Sequence, residues 1–362
     1  MKYIDEYRDK EKVISISNRI RFSSKKHIRL MEVCGGHTMA IQRFGIPSLL
    51  PENIELVSGP GCPVCVTSRA YIDQAIAYSR LPDVIITTYG DLIRVPGSTS
   101  TLDRERAAGS DIRIVYSILD ALMIAKKNRQ KKVVFLGIGF ETTSPATAAG
   151  ILKAQMAGLF NFFVYSAHKI MPPPMAALID QGVNIHGYIG PGHVSTITGS
   201  HIYDFIPEKY GMGVVISGFE PLDLLQSIYM LVLQHENETP KVEIQYSRAV
   251  KPEGNQKAKD MLEEVFELRD DWWRGLGTLH ESGFAIRERF AEFDAEKMLS
   301  VEVEPTREDK GCICGTVLKG LAKPSDCKLF GKACTPSDPV GACMVSNEGA
   351  CAAYYRFKRT EA

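Results

Sequence analysis

KVVFLGIG (132–139) running into FETT (140–143) decides how this chain folds. An almost unbroken apolar run that stops at glycine and polar residues is the mark of a strand covered on both faces, as in a parallel sheet clothed by helices. The same rhythm recurs on both sides of it. Upstream, IRLMEV precedes CGGHT (34–38), IELVS precedes GPGCPVC (59–65) and DVIITT precedes YGD (89–91). Downstream, NFFVYS precedes AHK (167–169), IHGYI precedes GPGHVST (190–196) and GVVIS precedes GFEP (218–221). Helix-like spacers separate these runs, which is the pattern of βαβ units. Seven strands divided by the charged KKNRQKK (126–132) predict two α/β halves, 29–118 and 119–237. In such sheets ligands bind beyond the carboxyl ends of the strands, and nearly every unusual motif sits there. The cleft between the halves is the expected active site.

The flanks read differently. Residues 1–27 form an amphipathic helix pattern with Ile4, Tyr7, Val13, Ile14 and Ile20 as inward positions, and 113–130 is helical. A further helix is predicted over 255–273, with Met261, Leu262, Val265, Phe266 and Leu268 inside. The tryptophans of DDWWRG (270–275) suit packing between domains. From 311 onward the chain is rich in Gly, Pro and Cys with little periodicity, so this tail is expected to lean on a metal centre to fold. It forms, with residues 1–28, a third unit, 238–362.

Composition excludes several classes. Forty-three basic and 43 acidic residues cancel, so no polybasic nucleic-acid tract is indicated. The start MKYIDEYRDKEK is too charged for a secretory leader, and no apolar run approaches a membrane span. A cytoplasmic chain with reduced thiols is expected, and clustered cysteines there bind metal or do redox work.

Cys34, Cys62 and Cys65 come early; after a gap of 246 residues, Cys312, Cys314, Cys327, Cys334, Cys343 and Cys351 follow within 40. CPVC (62–65), between a strand and a helical stretch, suits thiol–disulfide exchange, and half of a zinc site is the alternative. Redox is favoured because no second pair is near in sequence. Cys34 in CGGHT is followed by two glycines that permit close backbone approach and by His37, able to orient a ligand or move a proton. Plain packing is the alternative for a cysteine after a strand. The late cysteines lack paired C-x-x-C knuckles, and their irregular gaps favour an iron–sulfur cubane over zinc. GIGFET (137–142) lacks the third glycine and the acidic partner of a dinucleotide fingerprint. Its Glu141 is of interest instead as a strand-end carboxylate. His168, His186 and His193 are strand-end candidates of equal standing as structural residues.

CGGHT, GPGCPVC, GFETT, GPGHVST and the tail CICG, DCKLF, CTP, GACMVS and EGACAAYY together resemble the hydrogenase maturation protein family HypD, over essentially the whole chain. The resemblance implies two Rossmann-like α/β domains facing a cleft plus a mainly helical and loop iron–sulfur domain. It implies a scaffold that assembles the Fe(CN)2CO unit of [NiFe]-hydrogenases rather than conventional small-molecule turnover. The implied partners are a HypC-type chaperone and a HypE-type cyanide donor with HypF upstream, with no nucleic acid and no membrane. Cys34 would bind the iron with a cysteine of the chaperone, Cys62 and Cys65 would be a redox-active dithiol, and the tail would hold a [4Fe–4S] cluster. We assign that cluster to Cys312, Cys327, Cys334 and Cys351, with Cys314 and Cys343 as reserves, and we expect His37 and Glu141 to supply protons or hydrogen bonds to cyanide nitrogen. Two rivals stand beside this reading. An iron–sulfur disulfide reductase resembling ferredoxin:thioredoxin reductase leaves CGGHT unexplained, and a zinc-stabilised interaction module would be colourless.

Overall fold

A computed structural model describes residues 4–357. All seven expected strands are present: β1 (Ile28–Glu32), β2 (Ile54–Ser58), β3 (Val84–Thr88), β5 (Lys132–Gly139), β6 (Phe162–His168), β7 (Gly187–Pro191) and β8 (Gly213–Ser217). Four more join them: β4 (Asp111–Ile114), β9 (Val242–Ile244), β10 (Phe266–Trp273) and β11 (Gly277–Ile286). One sheet has the order β2-β1-β7-β8-β9 and the other β4-β3-β5-β6, with every pairing parallel. β10 and β11 form an antiparallel hairpin. The fold is therefore α/β with two parallel sheets.

The sheets do not follow the expected boundary at 118/119. The chain lays down β1 and β2, leaves to build the whole four-stranded sheet, and returns with β7–β9 beside β1. A long crossover can insert a complete sheet between two neighbours, because parallel pairing needs only that the return be long. In each sheet the chain extends first to one side and then to the other. The strand order thus reverses between β1 and β7, and between β3 and β5.

One apolar core runs from Met31 and Val57 through Ile86 and Val134 to Val214, and takes in Cys62, Cys65, Cys314, Cys334, Cys343 and Cys351. The tail is thus built into the central core, where its Val317, Leu318, Met344 and Val345 are buried. Each such side chain contributes about 1.5–3 kcal/mol of burial. Helix α1 (Lys10–Ser23) lies along the helix Pro221–Glu236 and buries Ile16 and Ile20 in the outer core of the five-stranded sheet, so the N-terminal segment belongs with that sheet. Ile14, expected inside, is exposed. The predicted helix over 255–273 stops at Val265, and Phe266–Trp273 is β10, which turns Leu268 outward. No helix among the described residues is long and apolar enough to cross a membrane.

Candidate functional site

Cys34 leaves the carboxyl end of β1 as the N-cap of α2 (Gly35–Arg43). Its turn is locked to the loop after β2: Gly35 N–H donates to Gly61 O at 2.8 Å and Gly59 N–H to Glu32 O at 2.8 Å. The two glycines are needed for contact. Added methyls would lie 2.5 Å from Glu348 Cβ at Gly35 and 3.0 Å from the Phe219 ring at Gly36. Glu32 holds the turn from below, accepting from Cys34 N–H at 3.1 Å and from Thr38 Oγ1 at 2.5 Å. Burial pushes its carboxyl up to about 8 against those hydrogen bonds. Burial, then the charge of Glu348, pushes the Cys34 thiol up to about 12, despite backbone N–H groups of His37 and Gly36 that favour the anion.

His37 is fully buried, stacked on Phe219 at 4.6 Å between ring centroids. His193, in the first turn of the helix Gly192–Thr198 that follows β7, stacks on the same Phe219 at 4.0 Å. The Nε2 of His37 lies 3.1 Å from Ser217 O, a group that only accepts, so Nε2 carries the hydrogen. Nδ1 then presents a lone pair, and it has no hydrogen-bond partner among the described residues. Burial lowers the ring to about 4. His37 at neutral pH is an acceptor, which corrects the expectation that it donates to cyanide nitrogen.

Glu141 follows β5 in the other sheet. Its Oε1 accepts from Met171 N–H at 3.0 Å, while Oε2 is buried without a partner among the described residues. Burial raises its carboxyl to about 7, so it is a donor for much of the time near neutrality. Burial pushes the Tyr203 phenol up, and the charges of Glu141 and Cys34 push it in the same direction.

Cys62 and Cys65 are buried and joined as a disulfide. Cys62 is the N-cap and Cys65 a member of the one-turn helix α3 (Pro63–Val66), which packs against Ala342–Met344 around Cys343. The helix Ala350–Phe357, carrying Cys351, packs on α2. The tail thus touches both early cysteine motifs.

The six late cysteines are all free. Cys312, Cys314, Cys327, Cys334 and Cys351 line one cavity walled by Leu329, Phe330 and Met344. Cys312 and Cys314 sulfurs are 3.2 Å apart, and Cys314 also meets Cys343 and Cys351. Cys314, held as a reserve, is thus a wall of the cavity, whereas Cys343 stands behind it. Among the described residues, no group of three or more His, Cys, Asp or Glu side chains is placed to hold a single metal ion.

Two strand-end histidines fall outside this constellation. His168 has its ring nitrogens 3.1 Å from Ser166 Oγ and Thr147 Oγ1, and it is a satisfied core residue. His186 precedes β7, at the opposite end of the sheet, where its Nδ1 accepts from Arg29 N–H. Sequence reasoning missed Glu32, Phe219, Tyr203 and Glu348. Only Glu32 carried a local signal, as a carboxylate inside an apolar strand.

The sequence model of HypD, described as "Hydrogenase formation hypA family", matches residues 11–358. The chain belongs to the HypD family. Hydrogenase maturation factor HypD of Azotobacter vinelandii is 48% identical over 99% of this chain and 97% of its own length. HypD2 of Bradyrhizobium diazoefficiens is 47% identical over 99% and 97%, and HypD of Cupriavidus necator 46% over 99% and 98%. These names make HypD a family of hydrogenase maturation factors. Against that family, the site above joins four motifs that lie far apart in the chain.

Proposed function

We propose that this chain is the scaffold on which the Fe(CN)2CO unit of [NiFe]-hydrogenases is assembled, together with a HypC-type chaperone and with cyanide from a HypE-type donor that HypF-type chemistry charges. The observation that carries this reading is the packing of the cysteine-rich tail against both the Cys34 helix and the Cys62–Cys65 turn. Cys34 offers the iron cargo one thiol at the N-cap of α2, where among the described residues no three metal-binding side chains are grouped to hold an ion, so a second thiolate from the chaperone completes the grip. Glu141 keeps a proton near neutrality and donates from Oε2 to cyanide nitrogen. His37 accepts a hydrogen bond at Nδ1.

The tail fits a [4Fe–4S] cluster: its donors are soft thiols, none is tied up in a disulfide, and five face one cavity. Cys312, Cys327, Cys334 and Cys351 would hold it, and when bound it supplies electrons one at a time. Cys62 and Cys65 store two electrons as a dithiol between that cage and the Cys34 turn. The work of the other residues is to hold these sulfurs in place and keep water from them.

Anaerobic preparations with the chaperone, wild type and Cys34→Ala, test the scheme by Mössbauer and infrared spectroscopy. Wild type should be brown and carry cyanide and carbonyl bands. Cys34→Ala should stay brown and lose the bands. Colourless, iron-poor wild type after reconstitution overturns the reading. A Cys34→Ala protein with full disulfide-reductase turnover and no loss of iron favours the reductase reading instead.

A further inference from the structure

Arg274 belongs to DDWWRG, a motif that the scheme above leaves unused. It stands in the turn between β10 and β11, where the dithiol segment meets the tail. The residue is 9% exposed. Its Nε donates to Cys65 O and its Nη2 to Thr67 O, both at 2.9 Å, and its backbone N–H donates to Val66 O at 3.1 Å. These three carbonyls close the one-turn helix α3, and carbonyls at a helix end have no intrahelical partner. Nη1 reaches Glu308 at 3.2 Å.

The other side of the turn rests on the cage. Gly275 has φ +85°, and a methyl there would lie 2.5 Å from Gly315 O, one residue past Cys314. The guanidinium charge also bears on the Cys312 and Cys343 thiols. A buried cation is costly unless it is fully bonded, and an apolar side chain of similar length would fill the same space without that cost. Packing alone does not account for an arginine here.

We propose that Arg274 is a positioning residue that couples the redox state of the Cys62–Cys65 pair to the filling of the cysteine cage. It clamps the carbonyls of Cys65, Val66 and Thr67 on one side and seats on Cys314–Gly315 on the other. Opening the pair breaks one S–S bond and takes up two electrons and two protons, or one proton where one sulfur stays a thiolate. A fixed cation nearby favours the reduced pair, because thiolate character is stabilised beside arginine. The inference rests on the reading of the tail as an iron–sulfur cage.

The test uses the full chain and dithiothreitol, which is oxidised to its cyclic disulfide as the pair is reduced. The exchange constant is read by mass-tagged alkylation of Cys62 and Cys65, first in metal-free protein and then after anaerobic loading with iron and sulfide. In metal-free Arg274→Met the constant should move about tenfold towards the disulfide, which is about 30 mV for a two-electron couple. Loading should shift the wild-type constant threefold or more, and should shift that of Arg274→Met by clearly less. Coupling between two sites must appear in this reciprocal way. A metal-free constant within twofold of wild type, equal loading shifts in the two proteins, or no loading shift in either overturns the proposal. Arg274→Lys is the variant to use if the methionine protein does not fold. An ammonium reaches one carbonyl where the guanidinium spans two, so its loading shift should also fall, and a wild-type shift overturns the proposal. Wild type that takes up no iron defeats the cage reading instead, and the metal-free arm then still reads the clamp.

Discussion

Glu141→Gln should stabilise the metal-free protein, and by an amount that depends on pH. The carboxyl is 4% exposed, one oxygen bonds to Met171 N–H and the other to nothing among the described residues. Burial raises it from 4.5 to about 7. Below about pH 4.5 it is protonated in both folded and unfolded chains and contributes no pH dependence. Between about 4.5 and 7 the unfolded chain releases the proton while the folded one retains it. The folded state then binds more protons, so stability falls as pH rises, by up to about 1.4 kcal/mol per unit. The penalty is below about 1 kcal/mol at pH 5 and levels off at about 3 kcal/mol by pH 8.

Glutamine keeps an acceptor for Met171 and removes the ionisation. Urea midpoints for wild type and Glu141→Gln, taken from pH 4.5 to 8 in one buffer series, isolate the effect as a difference. The variant should gain on wild type steadily through this range. Curves that stay parallel to within about 0.5 kcal/mol refute the reasoning, because they mean the carboxyl is ionised in the folded chain and offers no proton to a ligand.

His37→Ala removes the ring on Phe219 and its bond to Ser217 O, for a loss of roughly 2–3 kcal/mol. In the chaperone complex it should lower cyanide and carbonyl infrared intensity more than iron content, and unchanged bands would remove His37 from the scheme. Asp223, fully buried, accepts both arms of Arg248 at 2.8 and 2.5 Å and also Gln245 Nε2. Asp223→Ala should therefore cost about 3–5 kcal/mol by leaving that cation unpaired, measured as a urea midpoint. Cys343→Ala should keep the iron content and visible absorption of reconstituted protein, since Cys343 does not line the cavity, whereas Cys334→Ala should lose both.

The strands that could be read from sequence are those buried on both faces. Val133–Ile138 and Phe162–Ala167 are apolar almost without a break because helices cover both sides. β4 (DIRI) and β9 (VEI) lie at sheet edges, are only partly covered, and carry charges that hide them. In 255–273, apolar residues at Leu262 and Val265 fit a helix and run without a break into Phe266, so local spacing hid the change to a strand. The chemistry-bearing cysteines were legible by type and spacing. Arg274 was not, because its meaning lies in carbonyls more than 200 residues away.

Strand order explains why the legible motifs amount to a site at all. Had each half folded on its own strands, CGGHT and GPGHVST would lie in different sheets. The return of the chain places β7 directly beside β1, and the strand order reverses between them, so that the segments after the two strands are neighbours. Cys34 and His37 follow β1 and His193 follows β7, and Phe219, from the loop after β8, stacks on both histidines. The second sheet reverses between β3 and β5, and Glu141 follows β5. Two sheets of like winding thus each carry a candidate residue just past a strand at their reversal point, one a thiol and the other a carboxyl whose affinity for its proton is raised by burial. Shortening either crossover would leave the strands and their hydrophobic content intact and still separate these groups.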